Sequence, residues 1–369
     1  MKYYILAGEA SGDLHGSNLI KELKRIDANA EIRCWGGDLM EEAGGELVLH
    51  YKERAFMGFA EVIANISKIL GLIKFCKKDI SEFNPDKIIF IDNSGFNLRI
   101  AKWAKQQNFK TAYYISPQVW ASRSGRVEAI KRDIDEMFVI LPFVEDFYKK
   151  VNYKVHFVGH PLLDAISNRK QIDETSFKKE LNLSEKPIIA LLPGSRKQEI
   201  TKMLSVMLKM TTKFSDYQFV IAGAPSQDYE FYKQFITINN VAFISNKTYD
   251  LLSISYAAIV TSGTATLEAA LFKVPEIVCY KTSWLSYRIG KMIIKLKFIS
   301  LVNLIMNREV VRELIQDELN EENLEKELHK ILDPINRKQF FDNYYELEQR
   351  LGGVGASKKT AELIVNKKL

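Results

Sequence analysis

One aspartate stands at the end of an apolar run that is typical of a buried strand. The run Lys87–Ile91 is followed directly by Asp92 and then by the polar segment Asn93–Asn97. A carboxylate at the carboxyl edge of a parallel strand faces the crevice in which α/β proteins bind ligands. Burial there can raise its pKa toward the value that a general base needs. Because an aspartate after a strand can equally cap the next helix, both roles stay open for Asp92 at this point.

A second candidate is the loop AGEASGD, residues 7–13, which follows the first apolar run of the chain. Its glycines allow a tight turn close to a ligand, and Glu9, Ser11 and Asp13 supply polar groups. The spacing matches neither the dinucleotide fingerprint GxGxxG nor the phosphate loop GxxxxGK(S/T), so an ordinary dinucleotide or ATP site is not supported. On spacing alone, helix capping by Ser11 or Asp13 is favoured over ligand binding.

Several phosphate-binding features coincide in the segment LPGSRKQEI, residues 192–200. A strand-like run ends there, a Gly-Ser turn follows, and a helical pattern begins. Ser195 and Gln198 have the spacing of a capping box. The exposed N–H groups of a helix N-terminus, together with Arg196, predict an anion site suited to a diphosphate.

A similar turn, TSGTATLE at residues 261–268, opens another helix. Ser262, Gly263 and Thr264 would form a second cluster of N-terminal donors. Glu268 lies one to two turns into this helix, where its carboxylate could accept hydrogen bonds from ribose hydroxyls. The alternative for Glu268 is a solvated helix residue.

An apolar stripe at helical spacing runs through residues 57–78, and lysines lie beside it or at its end. From the residues alone a core-facing helix is favoured, and an amphipathic helix in a membrane interface is the alternative. Residues 281–300 carry five basic and no acidic side chains among apolar ones, and they raise the same two alternatives. The stripe comprises Phe59, Val62, Ile63, Ile66, Ile69, Leu70 and Ile73.

The elements that must position these residues alternate along the chain. Apolar runs of strand length are separated by amphipathic stretches, which predicts an α/β fold of parallel sheets covered by helices. The polar stretch Ser167–Glu185 separates two such halves. We expect doubly wound domains over residues 1–166 and 167–333, with a helical tail over 334–369 that returns to an N-terminal domain. Predicted strands cover residues 3–6, 87–91, 111–115, 136–141, 155–158, 187–192, 218–222, 257–260 and 276–280.

The composition limits the remaining functions. A chain of 369 residues with a formal net charge of +6 fits a two-domain globular protein and does not indicate nucleic-acid binding. Three cysteines without a CxxC pair exclude a disulfide scaffold and fit a reducing cytoplasm. Five histidines without metal-binding spacing predict no metal site, and the absence of GxSxG argues against a nucleophilic triad. The sequence contains no stretch of about 20 predominantly apolar residues, so no membrane-spanning helix is predicted.

Taken together, eight stretches of this sequence resemble the lipid-A-disaccharide synthase family, in the family's order and over nearly the whole chain. The resemblance implies a GT-B fold, in which two Rossmann-like domains face each other across a cleft. It also implies an inverting glycosyltransferase that moves 2,3-diacylglucosamine from its UDP derivative to 2,3-diacylglucosamine 1-phosphate (lipid X). The stretches are AGEASGD (7–13), MGFAEV (57–62), IDNSGFN (91–97), SPQVWA (116–121), FVGHPLLDA (157–165), LLPGSR (191–196), SGTATLE (262–268) and SLVNLI (300–305).

The resemblance further implies partners and a location. The substrates would be UDP-diacylglucosamine and lipid X, with no metal or redox cofactor. The protein would be peripheral at the cytoplasmic face of the inner membrane and would contact it through the stripe from Phe59 to Leu70; a homodimer stays open. Two other functions are weighed: a different UDP-sugar-dependent GT-B enzyme, such as a UDP-N-acetylglucosamine epimerase, and a non-catalytic nucleotide-sugar-binding protein at the membrane.

Matching positions imply the roles of individual residues. Asp92 aligns with the aspartate proposed as general base in the family, and Glu9, Ser11 and Asp13 lie on the acceptor side. The chain departs from the family pattern at Ser94-Gly95, where Pro-Asp is common, at Ser122 in place of a tryptophan, and at Val302 in place of a proline. The residues implied at the UDP site are Arg196 at the diphosphate, Glu268 at the ribose, and Ser195, Ser262, Gly263, Thr264 and Asn303 near them.

Overall fold

The computed structural model describes residues 1–54, 66–122, 124–236, 241–283, 287–288 and 296–366. The chain forms two compact units, and each contains a parallel sheet with helices around it. Unit 1 comprises Met1–Asn168 and Leu351–Leu369, and unit 2 comprises Arg169–Arg350. The chain therefore passes from one unit to the other near the start of the polar stretch noted above.

The sheet of unit 1 has seven parallel strands in the order β3-β2-β1-β4-β5-β6-β7. Every residue of β4 is buried, as expected for a central strand with helices on both faces of the sheet. The strand order reverses between β1 and β4, which makes this pair the switch point of a doubly wound fold. The strands are Lys2–Leu6 (β1), Glu31–Gly36 (β2), Glu46–His50 (β3), Lys87–Ile91 (β4), Lys110–Tyr114 (β5), Glu136–Val139 (β6) and His156–Phe157 (β7). The described helices of unit 1 are Ala10–Ile26, Asp38–Glu42, Ile66–Phe83, Ser94–Gln106, Val119–Ser122, Val127–Asp133, Pro142–Lys150, Pro161–Ser167 and Ala356–Asn366.

The sheet of unit 2 has six parallel strands in the order β10-β9-β8-β11-β12-β13, so its order reverses between β8 and β11. The first six strands of unit 1 have the same relative order as the six strands of unit 2, which confirms the predicted α/β class with two Rossmann-like halves. The strands are Ile188–Leu192 (β8), Gln218–Gly223 (β9), Val241–Ser245 (β10), Ser255–Thr261 (β11), Glu276–Tyr280 (β12) and Arg312–Ile315 (β13). The described helices of unit 2 are Glu174–Glu180, Lys197–Met207, Met210–Lys213, Tyr229–Lys233, Thr248–Ile254, Thr264–Leu271, Leu301–Met306, Glu321–Leu332 and Pro334–Arg350.

The predicted C-terminal tail divides between the two units, whereas the expectation was that the whole of 334–369 returns to an N-terminal domain. Its first helix, Pro334–Arg350, belongs to unit 2, where Arg308 forms an ion pair with Glu346 at 2.6 Å. Three glycines with positive φ then follow, Gly352 at 87°, Gly353 at 70° and Gly355 at 114°. Because glycine adopts such angles without steric cost, the helix ends there and the chain turns.

The last helix, Ala356–Asn366, is fixed to unit 1 at both ends. At its start, the buried carboxylate of Asp164 accepts hydrogen bonds from the N–H groups of residues 355–357, at distances between 2.6 and 3.3 Å. Near its end, the buried ammonium of Lys87 donates to the carbonyl of Ile364 at 2.9 Å. A negative charge at a helix N-terminus and a positive charge at its C-terminus both stabilise the helix dipole.

One buried carboxyl group of unit 2 has no hydrogen-bond partner among the described residues. Glu276, the first residue of β12, is 0% exposed, and neither of its carboxyl oxygens has a hydrogen-bond partner among the described residues. Burial raises the pKa of this carboxyl well above its ordinary value. The folded protein therefore holds the proton at pH values where the unfolded chain releases it.

Replacement of Glu276 by methionine is expected to stabilise unit 2, and most strongly at alkaline pH. The parent's stability falls as pH rises above about 4.5, because folding must then retain or take up a proton at this carboxyl. Removing the unsatisfied group should add about 1–3 kcal/mol to the free energy of unfolding near pH 8, and less near pH 5. Calorimetric unfolding across this range measures the effect. The control is Glu230→Met at a side chain that is 75% exposed, and a lower melting temperature for Glu276→Met at every pH would contradict the prediction.

Candidate active site

The loops that follow β1 and β4 meet at the switch point of unit 1. Glu9 is the N-cap residue of the helix Ala10–Ile26 and is exposed, while Asp92 follows β4 directly. A Cβ atom placed on Gly8 would lie 2.1 Å from Nδ2 of Asn93, so the close approach of the two loops requires a glycine there. The fold thus brings together two carboxylates that are 83 positions apart in the sequence.

Asp92 combines access to solvent with partial loss of hydration. Its side chain is exposed, yet enough protein surrounds the carboxyl to disfavour the charged form. This desolvation raises the pKa of Asp92 above the ordinary 3.8, the negative charge of Glu9 raises it further, and a hydrogen bond from the N–H of Asn93 acts in the opposite direction. A carboxylate with a raised pKa is a stronger base, and its exposure leaves it accessible to a substrate hydroxyl.

The other two acceptor-side candidates differ from each other. Ser11 is exposed on the first turn of its helix. Asp13, by contrast, is buried, and its carboxylate accepts hydrogen bonds from the N–H groups of Gly37 at 2.8 Å, Met40 at 3.0 Å and Leu39 at 3.2 Å. This geometry corrects the prediction for Asp13: its carboxylate caps the start of the helix at 38–42 and does not face an acceptor.

In unit 2, Arg196 is the N-cap residue of the helix Lys197–Met207, which follows β8. Gly194 has φ 104°, and a side chain there would meet Oε2 of Glu199 at 3.1 Å. Glu199 accepts hydrogen bonds from the backbone N–H of Arg196 at 3.4 Å and from its guanidinium at 3.2 Å. The predicted pairing of Ser195 with Gln198 is therefore displaced by one residue. Ser195 is exposed, and its carbonyl accepts the hydroxyl of Ser226 at 2.9 Å.

The turn that follows β11, at residues 262–264, is accessible at its glycine. Gly263 is the N-cap of the helix Thr264–Leu271, and among the described residues no atom outside its immediate chain neighbours lies within 4 Å of the place where its Cβ would be. Thr264 is exposed, whereas the hydroxyl of Ser262 donates to the carbonyl of Ile299 at 3.0 Å. Gly263 and Thr264 are both exposed, so the start of this helix is accessible to solvent, as an anion site requires.

Glu268 has a partner that the sequence motifs did not reveal. The hydroxyl of Tyr249 donates to Oε1 of Glu268 at 2.9 Å. Burial raises the pKa of the Glu268 carboxyl, and this hydrogen bond partly offsets the shift. Tyr249 lies 19 positions before Glu268 on a different helix, so no local spacing could indicate the pair.

Asn303 is the second correction among the predicted site residues. It is 0% exposed, and its amide oxygen accepts the N–H groups of Val310 at 2.7 Å and Val311 at 3.0 Å. Its amide nitrogen donates to the carbonyl of Val311 at 2.8 Å and to Glu313 at 2.9 Å. These bonds use the donors and acceptors of the amide, so the predicted contact with UDP does not fit this geometry.

The hydrogen bonds of Asn303 instead belong to a buried network that includes Glu313 and Ser300. The carboxylate of Glu313 accepts the N–H groups of Ile299 at 3.0 Å and Ser300 at 2.9 Å, and the Ser300 hydroxyl at 2.8 Å. The carbonyl of Ile299 is the group that holds the hydroxyl of Ser262. Asn303 and Glu313 are thus connected to Ser262 through the segment that contains Ile299 and Ser300.

The predicted apolar stripe is only partly described. On the helix Ile66–Phe83, Leu70 is 60% exposed, Ile69 is half-buried and Ile73 is buried. This helix therefore contributes to the core and also presents apolar surface to solvent. Phe59, Val62, Ile63, the side chain of Ile66, and residues 284–286 and 289–295, which include Lys291 and Lys295, lie outside the described residues.

Two searches limited to the described ranges bear on other kinds of site. No group of three or more His, Cys, Asp or Glu side chains there is arranged to hold a metal ion. In the same ranges, no helix combines the length and apolar character that crossing a membrane requires. The expectation of a site without a metal or redox cofactor stays a prediction.

Solved structures of other proteins share this fold over nearly their whole length. A UDP-GlcNAc 2-epimerase from Neisseria meningitidis bound to UDP-GlcNAc has a TM-score of 0.71 at 14% identity, with 100% of both chains covered. The glycosyltransferase of kitacinnamycin has a TM-score of 0.67 at 12% identity, with 98% of both chains covered. At such identities the likeness shows the fold alone, which is the GT-B fold of two Rossmann-like domains.

Sequence comparisons are more specific. The family model described as lipid-A-disaccharide synthetase matches residues 3–364. The lipid-A-disaccharide synthase of Syntrophus aciditrophicus is 40% identical over 365 residues, covering 97% of this chain and 95% of the relative. The lipid-A-disaccharide synthase of Coxiella burnetii is 36% identical over 368 residues, covering 98% of this chain and 97% of the relative. Because both the family model and these relatives match nearly the full length, the chain belongs to the lipid-A-disaccharide synthase family.

Proposed function

We propose that this chain transfers 2,3-diacylglucosamine from UDP-2,3-diacylglucosamine to lipid X, giving a β-1,6-linked disaccharide 1-phosphate and UDP. Membership of the family makes the chain a glycosyltransferase. The observation that carries the assignment of the chemistry is the accessible carboxylate of Asp92, whose pKa is raised by desolvation and by the charge of Glu9 at the switch point of unit 1.

Asp92 acts as the general base. It removes the proton from the 6-hydroxyl of lipid X while that oxygen attacks the anomeric carbon of the donor. The new carbon–oxygen bond forms as the bond to the UDP oxygen breaks, so the configuration inverts and no covalent enzyme intermediate arises. The transition state resembles the oxocarbenium ion of glycoside hydrolysis. Glu9 and Ser11, both exposed beside this loop, are proposed to contact the acceptor.

Unit 2 stabilises the leaving group. UDP departs with negative charge on its β-phosphate, and the helices that begin at Lys197 and Thr264 offer N–H groups and positive dipole ends. The Arg196 side chain is 77% exposed, and its surface pair with Glu199 contributes at most about 1 kcal/mol, so the guanidinium can turn to the diphosphate at small cost. Ser195, Ser262, Gly263 and Thr264 surround the phosphates in this proposal, and Glu268, held by Tyr249, accepts the ribose hydroxyls.

A peripheral association with the cytoplasmic face of the inner membrane is proposed for the helix Ile66–Phe83. Leu70 is 60% exposed and Phe75 44% exposed on this helix, and Lys74 and Lys78 are exposed as well. Exposed apolar side chains insert among lipid chains, and lysines near them are attracted to anionic headgroups. Both substrates of the proposed reaction carry acyl chains, so such a contact keeps the enzyme where they reside.

Replacement of the base is expected to abolish most of the transfer. Asp92→Asn should lower kcat by about 10²–10⁴-fold, the usual contribution of a general base, with UDP affinity and melting temperature unchanged. Mass spectrometry of the disaccharide 1-phosphate formed from UDP-diacylglucosamine and lipid X measures the rate. The control is Asp86→Asn, an exposed aspartate at the opposite end of β4. Parental kcat in a folded Asp92→Asn variant would remove Asp92 from the base role, and no disaccharide from the parent would refute the proposed function.

The pH dependence of kcat/KM tests the role of Asp92 through the charge of its neighbour Glu9. Transfer requires the deprotonated carboxylate, so kcat/KM falls as pH drops through the pKa of Asp92, which lies above 3.8. Glu9→Gln removes a negative charge that raises this pKa, and the acid limb should therefore move to lower pH. An acid limb that stays in place would show that Glu9 does not act on the titrating group.

The diphosphate role of Arg196 predicts a loss of nucleotide affinity. Arg196→Ala should weaken UDP binding by about 1.5–3 kcal/mol, the range for a hydrogen bond to a charged group, because its guanidinium no longer meets the phosphates. Titration calorimetry with UDP measures the change. Arg312→Ala, at another surface arginine of unit 2 that pairs with Glu309 and Glu318, serves as the control. Equal affinity of Arg196→Ala and parent would exclude Arg196 from the diphosphate site.

The membrane proposal predicts that one exposed leucine matters more for lipid than for folding. Leu70→Ser should weaken binding to vesicles of phosphatidylethanolamine and phosphatidylglycerol by about 3- to 10-fold, because part of a leucine side chain no longer inserts. The melting temperature should change little. Ile335→Ser is the matched control, since Ile335 is 84% exposed but lies in unit 2. Vesicle sedimentation measures binding, and equal loss in both variants would contradict a specific contact at Leu70.

A further inference from the structure

The loop that carries Asp92 has an unusual backbone. Asp92 and Asn93 both have φ 43°, in the left-handed region that non-glycine residues seldom adopt. Such residues cost free energy and persist only where surrounding contacts fix them. Two in succession, at the residue proposed as the base and at the one after it, indicate that the neighbouring structure holds this turn in place.

Two side-chain hydrogen bonds that hold the turn converge on a single atom, the carbonyl oxygen of Asp92. It accepts a hydrogen bond from Nδ2 of Asn97 at 2.9 Å and another from the hydroxyl of Tyr113. Both donors are 0% exposed, so water does not compete for them. The amide of Asn97 also lies 3.2 Å from the carbonyl of Ile91, which ties the turn to the end of β4.

The two donors come from different elements. Asn97 lies in the first turn of the helix Ser94–Gln106, and its backbone N–H donates to the carbonyl of Asn93 at 3.1 Å. Tyr113 lies on β5, the neighbouring strand, and its ring packs against Phe90 with centroids 5.7 Å apart. The helix and the sheet therefore both act on the turn.

The direction of the Asp92 side chain follows from this backbone. A general base must reach the proton it removes within about 2.6–3.2 Å, and a displacement of about 1 Å can cost two orders of magnitude in rate. If the carbonyl of Asp92 lost its donors, the peptide could rotate toward more common angles, and the carboxylate would move with it.

We propose that Tyr113 and Asn97 are positioning residues for the transfer reaction, which fix the direction of the Asp92 carboxylate by holding its carbonyl in a left-handed turn. The inference rests on the base role proposed for Asp92. Neither residue touches the reacting atoms in this account, and both act through Asp92. Tyr113 is the better residue to test, because phenylalanine keeps the ring contacts and removes only the hydroxyl.

Tyr113→Phe is expected to lower kcat about 10-fold while KM for both substrates stays within about twofold of the parent, since loss of one hydrogen bond is worth roughly that factor. Tyr114→Phe is the matched control: it makes the same change at the next residue of the same strand, equally buried, where the hydroxyl lies near Ser357 and Thr360 of the last helix. The control should keep parental kcat, and the two variants should melt within a few degrees of each other. An equal loss of kcat in both variants would overturn the inference.

The decisive measurement combines Tyr113→Phe with Asp92→Asn. If Tyr113 acts through Asp92, the double variant has the same residual rate as Asp92→Asn alone. A further 10-fold loss in the double variant would show an effect independent of Asp92 and would overturn the inference. An unchanged rate in Asp92→Asn alone would overturn the base assignment and the inference with it. A full loss in Asp92→Asn with parental kcat in Tyr113→Phe would overturn the inference alone.

Discussion

A reversal of strand order within a parallel sheet is the constraint on which the rest of this structure depends. At such a reversal the two connections leave toward opposite faces of the sheet, and the carboxyl ends of the two strands border an open crevice. β1 pairs with β4 in unit 1, and β8 pairs with β11 in unit 2. Glu9, Asp92, Arg196 and Ser262 all lie within the few residues that follow these four strands. The topology thus concentrates the candidate chemistry before any side-chain detail is considered.

Behind each crevice, buried polar groups determine which residues stay available to a ligand. Asp13 and Asn303 belong to motifs that look functional, yet their hydrogen bonds are satisfied within the protein. Glu9, Ser11, Ser195 and Arg196 are exposed instead. A buried polar group that loses its partner costs free energy, so saturated residues are held in place while exposed ones can exchange water for substrate. Asp92 has both characters, with a carbonyl held by buried donors and a carboxylate open to solvent.

Prediction from sequence succeeded where the signal is local, and it missed three of the four edge strands that the structure describes. Lys87–Ile91 and Glu276–Tyr280 were predicted with the bounds that the structure has, because central strands are continuous apolar runs. Of the four strands that were missed, β3, β10 and β13 are edge strands, and their half-exposed residues break that run. The local sequence pattern also predicts the position of Asp92 at the end of a strand and the Gly-Ser-Arg turn after β8. The capping pair was misplaced by one residue because Arg196 itself stays extended.

By itself the sequence determined the α/β class, the alternation of strands and helices, and the motifs that relate the chain to its family, since each depends on residues close together along the chain. Only the tertiary structure decided which polar groups are free for chemistry. Asp13 accepts hydrogen bonds from residues 24 to 27 positions away in the sequence. The partner of Glu268, Tyr249, is 19 positions away, and Tyr113, which donates to the carbonyl of Asp92, is 21 positions away. The division of the tail has the same origin, because Asp164 binds the start of the last helix from 191 to 193 positions away. Hydrogen bonds between groups so distant depend on how the sheets and helices pack, and local spacing carries no record of that packing.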